Sequence, residues 1–382
     1  MQFAGRESEG TPSKWLAWLV GVFSVVFSLI LMEGLVRFVA PQVTYAKARD
    51  RYVINGERDF GLLFYETNDL FPFVLTPHYQ AQIVDNLEKQ RFSVSLNAQG
   101  FRAEEFVSKR NGERRLVTIG DSTTFGIGVE ESDTYPKLLE SLLNGQAGAG
   151  SAYKIFNLGV AGYGPAEYYL LAKQYVNILN PDVIVVAWFT GNDRVELLQS
   201  ELALDSAGLP AKVRRRGIYI DERHRWRTGS AEAWVYRIPI LRDSHFAIYL
   251  SSCVARLWRF AERGMVRADE APLPVPLDRL ARGIEEVGAR AGSQIVWVIL
   301  PAKYDIDSDK DSVFIRALAG FPDSTVVNLV PEFRRMKGNI EAYYVDGSHF
   351  SRLGGEVIAG AVSAAVKRMF CCQVPQAAPD RR

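Results

Sequence analysis

The sequence has few of the residues that build disulfide frameworks, metal centres and general bases. Its 382 residues include three cysteines at irregular spacing, which predicts neither a disulfide framework nor a zinc site. No phosphate-binding loop and no His-Glu-x-x-His motif occurs, so the sequence predicts no metal or organic cofactor. Candidates for a general base are limited to four histidines: His78, His224, His245 and His349.

Charge of one sign is also lacking, since the formal net charge is +1. The protein therefore has no broad field to recruit nucleic acid. A composition of 48% hydrophobic and 23% charged residues provides enough apolar material for a core and argues against global disorder. The short basic run Arg214-Arg215-Arg216 is typical of a solvated loop, with phosphate or headgroup contact as the alternative interpretation.

Residues 15–32 contain no charge, and as a helix they would measure roughly 27 Å, close to the hydrocarbon thickness of a bilayer. Trp15 and Trp18 stand at one end, as interfacial aromatic residues do. We expect an uncleaved single-pass anchor over residues 15–36. The alternatives are a cleaved signal peptide, whose small-residue cleavage site is missing next to the run, and a buried helix of a soluble protein.

The sequence gives two opposing indications of the orientation of this anchor in the membrane. Basic residues number two before the span and four between residues 37 and 51, and this count favours a cytoplasmic C-terminal side. Long domains are translocated largely regardless of flanking charge, however. We therefore expect a periplasmic or otherwise extracytoplasmic domain after the anchor.

Residues 42–113 look β-rich and irregular, with short apolar or alternating runs at 60–65, 71–75 and 91–96. Alternation of strands and helices begins after them and indicates a parallel sheet with helices on both faces. The predicted strands are 116–119, 153–158, 182–188, 294–300 and 325–329. The predicted helices are 134–143, 166–177, 277–290, 312–319 and 352–370.

The alternation pauses between about residues 194 and 275, where we expect an insertion with a hairpin around Tyr219 and a helix over 246–262. The predicted organisation is therefore an N-terminal tail (1–14), the anchor (15–36), a linker with the β-rich extension (37–113), a catalytic domain (114–370) and a C-terminal tail (371–382).

Ser122 follows a β-favouring run and stands in Gly120-Asp121-Ser122, before small and polar residues and Gly126. This pattern predicts a buried strand that delivers a serine to a tight turn at the start of a helix. Open α/β sheets bind their ligands at that edge. The alternative is that Asp121 or Ser122 only caps the helix.

Further polar segments follow the other predicted strands. Asn157-Leu158-Gly159-Val160-Ala161-Gly162 follows the second strand, and Gly191-Asn192-Asp193 follows the third. Asp346-Gly347-Ser348-His349 precedes the last helix, and Asn97-Ala98-Gln99-Gly100-Phe101-Arg102 precedes the serine strand.

Together these blocks resemble the SGNH (GDSL-type) hydrolase superfamily, and the Asn-x-x-Gly-Phe-Arg element and N-terminal span resemble a membrane-anchored bacterial branch of it. The resemblance covers roughly residues 85–370. It implies a three-layer α/β/α flavodoxin-like fold and a serine esterase whose oxyanion donors are the Ser122 N–H, the Gly162 N–H and the Asn192 side chain. The absence of Gly-x-Ser-x-Gly around Ser122 argues against the α/β-hydrolase fold.

A serine hydroxyl becomes a good nucleophile when an adjacent base takes its proton. Asp346 stands three residues before His349, at the entry to a predicted helix, so it can orient the imidazole towards Ser122. Structural alternatives are that His349 caps or packs beside the last helix and that Asn192 is a turn residue. We expect Asp193 to bond its own loop, Asp121 to fix the serine turn or the helix start, and the other three histidines to be structural or at the surface.

The sequence thus predicts hydrolysis of a carboxylic ester on a lipid or an acylated envelope glycan, with membrane contact through the N-terminal helix. Two rivals remain: acyl transfer to a glycan by the same residues, and a non-catalytic envelope assembly or binding protein. Protein partners are not indicated.

Overall fold

The computed structural model describes residues 14–59, 65–146, 152–215, 218–220, 224, 226–228, 234–236, 238–263, 271–322 and 325–371. Residues 60–64 of the predicted run at 60–65, most of the N-terminal tail and the C-terminal residues 372–382 lie outside this description. The chain forms two compact units, which are described separately: residues 1–48 with 230–265, and residues 49–229 with 266–382.

The helices, numbered in chain order, are α1 Lys14–Val39, α2 Tyr45–Arg51, α3 Ser122–Phe125, α4 Tyr135–Gln146, α5 Pro165–Leu179, α6 Asp193–Gln199, α7 His245–Arg263, α8 Leu277–Ala291, α9 Ser312–Leu318, α10 Val330–Arg335 and α11 Arg352–Cys371. The strands are β1 Tyr52–Ile54, β2 Glu57–Asp59, β3 Tyr65–Glu66, β4 Val74–Leu75, β5 Gln80–Asp85, β6 Gln90–Ser95, β7 Glu113–Ile119, β8 Ala152–Asn157, β9 Val183–Phe189, β10 Ser200–Leu204, β11 Pro210–Arg215, β12 Ile218–Ile220, β13 Trp226–Thr228, β14 Gln294–Leu300 and β15 Val326–Asn328. Short 3-10 segments occupy Glu131–Asp133, Lys303–Asp305 and Lys337–Tyr343.

The first unit contains α1 and α7. Within the described residues, α1 is long and apolar enough to cross a membrane, and it lies near the N-terminus. Its apolar side chains from Trp15 to Leu31 are exposed, and Val36 is buried. An apolar helix with so little burial does not serve as the core of this unit.

A five-stranded parallel sheet forms the centre of the second unit, in the order β15-β14-β9-β7-β8. The serine strand β7 is paired on both sides, with Val117 opposite Phe156 of β8 and opposite Ile184 of β9. All seven residues of β9 are buried, as expected for a parallel strand covered on both faces.

Alternate residues of these strands enter two separate cores. Val117, Val186 and Trp297 face one core with residues of α5, α8 and α9. Leu116, Val185 and Val296 face the other, which includes residues of α4 and α11. The predicted α/β fold with a parallel sheet between helical layers is therefore confirmed.

The β-rich extension is an antiparallel sheet in the order β2-β1-β5-β6, with β3 and β4 as a separate pair. Strand β5 was missed by the sequence prediction, although its buried and exposed residues alternate. The strands and helices predicted for the central sheet are all present, with ends that differ by a few residues. The predicted hairpin around Tyr219 is the β12–β13 pair, and the predicted helix at 246–262 is α7.

The expectation of a solvated loop for the basic run was wrong for Arg214 and Arg215, which belong to β11; Arg216 lies outside the described residues. Arg215 is buried and forms ion pairs with Glu167 of α5, at 2.8 Å, and with Glu196 of α6. Burial raises the pKa of Glu196 to about 7 although Arg215 opposes the shift. The arginine is therefore a fixed internal cation and not a surface charge.

We expect Arg215→Met to lower the free energy of unfolding by about 3–5 kcal/mol, because it leaves the fully buried Glu167 without its counter-charge. Chemical denaturation at neutral pH measures this loss. Lys212→Met on the same strand is the matched control and should change stability by about 0.5 kcal/mol or less. Equal effects of the two variants would contradict the structural role of Arg215.

Candidate active site

Ser122 lies at the C-terminal edge of the central sheet, three residues after β7 ends and at the first residue of α3. Asp121 caps this helix: its Oδ1 accepts hydrogen bonds from the Thr123 N–H at 2.8 Å and the Thr123 hydroxyl at 2.6 Å. Gly120 is needed for the tight turn, because a Cβ there would lie 2.1 Å from Thr124 Oγ1. The strand-turn-helix geometry predicted for the serine is present.

Asp121 is fully buried, and burial raises the pKa of its carboxyl group even though bonds from Thr123 and the charge of His349 lower it. Its second oxygen, Oδ2, is buried without a hydrogen-bond partner among the described residues. Asp121 thus caps α3 and also places a buried carboxyl group beside Ser122.

Asp346 and His349 share one tight loop. Tyr344 and Phe350 form an isolated antiparallel bridge, and the Val345 N–H donates to the His349 carbonyl at 2.9 Å. Inside this bracket, Asp346 Oδ1 accepts from the backbone N–H groups of Ser348 at 2.6 Å and His349 at 2.7 Å. These backbone N–H groups therefore hold the Asp346 carboxylate in place independently of the His349 imidazole.

The same loop is fastened to the end of β14. The Tyr344 hydroxyl donates to the Pro301 carbonyl at 2.7 Å, and the Lys303 N–H donates to the Gly347 carbonyl at 3.2 Å. The Tyr344 and Phe350 rings pack at 4.8 Å, and Phe333 lies 5.3 Å from Phe350. The loop consequently holds its position relative to the sheet.

Ser122, His349 and Asp346 are brought together in a continuous hydrogen-bonded row. His349 Nε2 lies 2.9 Å from Ser122 Oγ, and His349 Nδ1 lies 2.7 Å from Asp346 Oδ2. Burial would raise the pKa of Asp346, but the bonds and charge of His349 and the backbone N–H groups lower it to about 2. An ionised carboxylate beside Nδ1 leaves Nε2 free to accept the serine proton.

The loop after β8 runs against the serine turn. The N–H groups of Leu158 and Val160 donate to the carbonyls of Thr118, at 2.8 Å, and Gly120, at 3.1 Å. Gly159 allows this approach, since a Cβ there would lie 2.4 Å from the Phe125 nitrogen. Gly162, three residues before α5 begins, has a φ of +83°, which favours glycine.

Asn192 and Asp193 follow β9, the other neighbour of the serine strand. The Asn192 amide donates a long bond of 3.5 Å to Glu196, and its Oδ1 is buried without a partner among the described residues. Asp193 is fully buried and accepts from the Phe189 N–H at 2.9 Å and the Tyr168 hydroxyl at 2.8 Å. Asp193 thus bonds its own loop, as the sequence predicted.

The carboxyl ends of adjacent parallel strands meet at one edge of a sheet. β7 lies between β8 and β9, so Ser122, Gly162 and Asn192 follow strands that end side by side.

Arg102 of the Asn-x-x-Gly-Phe-Arg element supports the end of α3, the helix that begins with Ser122. Its guanidinium is buried and donates to the carbonyls of Phe125 at 3.2 Å and Gly126 at 2.7 Å, at the end of α3. It also bonds the carbonyls of Ser93 and Val129, at 2.6 and 2.9 Å, and desolvation lowers its pKa to about 10. The element was noticed in the sequence, but its supporting role needed the three-dimensional structure.

Tyr304 is a site residue that the sequence did not indicate. A Cβ on Gly191 would lie 2.8 Å from its hydroxyl, and a Cβ on Gly347 would lie 3.7 Å from its ring. Its ring therefore covers the loops that carry Asn192 and His349, yet the side chain remains 61% exposed. An exposed tyrosine in a loop has no sequence pattern that could have identified it.

The remaining histidines lie outside this row. His78 and His224 are exposed. His245 is buried, and its Nδ1 accepts a bond from the Gln42 N–H at 2.8 Å. These three are surface or structural residues, as expected.

No protein-family model and no curated protein sequence matches this chain. Matching solved structures include an acetyl xylan esterase, AlAXEase, at 15% identity with a TM-score of 0.38 over 66% of this chain and 99% of that one. Esterases are thus among the structural neighbours of this chain.

A second matching structure is the psychrotrophic esterase EstA from Pseudoalteromonas sp., at 9% identity and a TM-score of 0.36, over 68% of this chain and 99% of that one. A third is a protein of the G-D-S-L family from Desulfitobacterium hafniense, at 13% identity and a TM-score of 0.34, over 66% and 98% of the two chains. These similarities concern the fold, and we infer the chemistry from the geometry of the site.

The lowered pKa of Asp346 predicts a specific pH dependence of stability. Folding lowers the pKa of this carboxyl group from 3.8 to about 2. Its ionised form therefore stabilises the folded protein at pH values above 3.8, and this contribution is lost as the pH falls from 3.8 towards 2. We expect Asp346→Asn to lower the free energy of unfolding by about 2 kcal/mol at neutral pH. The deficit should shrink below pH 4 or so in denaturation series.

The matched control for this series is Asp69→Asn, because Asp69 is fully exposed. Its stability should follow the wild type at every pH. A deficit for Asp346→Asn that stays constant from neutral to acidic pH would contradict the assignment of an ionised, site-stabilised Asp346.

Proposed function

We propose that this chain is a membrane-anchored serine esterase that hydrolyses carboxylic esters through an acyl-enzyme, with Ser122 as nucleophile, His349 as general base and acid, and Asp346 as the group that orients it. The row from Asp346 through His349 to Ser122, with bonds of 2.7 and 2.9 Å, carries the proposal. The same geometry is what a neutral histidine needs to accept a serine proton.

In the first half of the reaction, Ser122 Oγ attacks the ester carbonyl carbon while its proton passes to His349 Nε2. The tetrahedral intermediate then collapses, the bond to the alcohol oxygen breaks, and His349 returns the proton to the departing alcohol. Asp346 stays ionised and stabilises the imidazolium that forms between these steps.

In the second half, a water molecule attacks the carbonyl carbon of the acyl group that is bound to Ser122 Oγ. His349 takes the water's proton and later gives it to Ser122 Oγ as the acyl-oxygen bond to the serine breaks. The carboxylic acid leaves, and the serine hydroxyl is restored. Acyl transfer would follow the same course with a sugar hydroxyl in place of the water.

The negative charge on the carbonyl oxygen needs donors that are fixed beforehand. We assign these to the Ser122 N–H, the Gly162 N–H and the Asn192 side-chain amide. Neither of the two N–H groups donates to another described residue, so both are available to an oxyanion. Each such donor is worth about 2.7–4 kcal/mol of barrier in a well-studied serine protease.

The substrate we propose is an acyl or acetyl ester on a lipid or an envelope glycan. This choice follows from an N-terminal helix able to span a membrane and from our expectation that the domain behind it is periplasmic or extracytoplasmic. Hydrolysis of an ester bond is common to both substrate classes, and the acyl length distinguishes them.

The test uses the full-length chain in detergent with p-nitrophenyl esters of increasing acyl length. We expect Ser122→Ala to lose about 10⁴-fold or more of the wild-type rate, because the nucleophile cannot be replaced. Ser95→Ala, at an exposed position on β6, should retain the full rate.

Equal rates for the wild type and Ser122→Ala would end the hydrolase proposal. Adding a glycan acceptor to the same assay separates the two reaction types. If acylated glycan forms in place of free acid, and Ser122 is still required, the reaction is acyl transfer and not hydrolysis.

A further inference from the structure

The second helix of the first unit carries an apolar face that the protein leaves uncovered. Leu250, Val254 and Leu257 of α7 are 49%, 53% and 67% exposed. They are four and three residues apart, so they share one side of the helix. Ile248, on the opposite side, and Ser251, on the flank between the two sides, are buried within the protein. An amphipathic helix normally buries its apolar side, and α7 presents it outward.

The start of α7 is fixed to the end of the membrane-spanning segment. Glu33 of α1 accepts bonds from the N–H groups of His245 at 3.1 Å and Phe246 at 2.9 Å, and from the Ser244 hydroxyl at 2.8 Å. Glu33 directly follows the uncharged run that ends at Met32. The helix therefore begins at the level where the apolar run ends.

Hydrogen bonds between the two helices lie at that end, at Glu33. Val36 is the buried residue of α1, whereas its apolar residues from Trp15 to Leu31 remain exposed. Hence α7 does not cover the spanning segment. Other exposed apolar residues lie in the same part of the unit: Phe38 is 90% exposed, Val39 69% and Ile240 88%.

We propose that α7 is a second membrane element, an interfacial helix that lies in the surface of the bilayer with Leu250, Val254 and Leu257 inserted among the lipids. This inference rests on the anchoring included in the proposed function. Lipid is the occupant we choose because the exposed face continues from the spanning helix, at the depth where that helix leaves the hydrocarbon. Interfacial helices of this kind bury their apolar side about 5–10 Å into the headgroup boundary.

The experiment places an environment-sensitive fluorophore on single cysteines of the full-length chain, in a background with Cys253, Cys371 and Cys372 changed to alanine. The labelled variants are Leu250→Cys and Leu257→Cys. Phe27→Cys in the spanning helix reports anchoring, and Asp69→Cys at a fully exposed position is the aqueous control. Each protein is reconstituted in phosphatidylcholine–phosphatidylglycerol vesicles with lipids spin-labelled near the headgroup or at mid-chain.

We expect labels at 250 and 257 to lose about half of their emission to the near-headgroup spin label and less to the mid-chain one, as for a helix at the interface. The label at 27 should respond more to the mid-chain spin label, and the label at 69 to neither. Circular dichroism and monodispersity of each variant confirm folding before reconstitution.

The outcomes separate the two proposals. One outcome is that the label at 27 is quenched by lipid while the labels at 250 and 257 emit like the aqueous control at 69. This outcome would overturn the interfacial helix and leave the anchor standing. Labels at 250 and 257 that are shielded from aqueous iodide but not quenched by lipid would assign the face to a protein contact, and would also overturn it. Absence of quenching at 27 would remove the anchor and this inference with it.

Discussion

The hydrogen bond between Ser122 and His349 joins positions 227 residues apart, and the rest of the site is arranged to keep it at 2.9 Å. Neither partner can adjust freely. The serine is held by a four-residue helix with a capped start, and the histidine by a bracketed loop fastened to the end of β14. The proposed nucleophile and base are therefore preorganised on two rigid supports, which is the condition for efficient proton transfer.

Buried charge provides much of this rigidity. Arg102 supports the end of α3, Asp121 caps its start, and Asp193 ties the loop after β9. Arg215 extends the network from the β10–β11 pair to Glu196, which is the residue that the Asn192 amide contacts. Buried charges are costly unless they are paired. Their concentration around three strand ends indicates that this edge of the sheet is built for positioning.

The central sheet and the triad candidates were predictable from the sequence because both depend on local signals. Continuous apolar runs mark β7, β9 and β14, and Asp346, three residues before His349 at the entry to the last helix, marks the proposed base. Strand β5 was missed although its buried and exposed residues alternate. The burial of Arg215 was not predictable, because its counter-charge comes from a distant segment: Arg215 meets Glu167, 48 residues away. Tyr304 was missed for the same reason, since its neighbours Gly191 and Gly347 lie far along the chain.

The most direct test of the account is covalent labelling of the full-length chain with a fluorophosphonate, followed by peptide mass spectrometry. An activated serine displaces the fluoride and keeps the phosphonyl group, so the account predicts one adduct, on Ser122. His349→Ala should label more slowly by about 10³-fold or more, because the base is gone. Labelling of another serine, or an equal rate in the His349 variant, would contradict the claim that His349 activates Ser122.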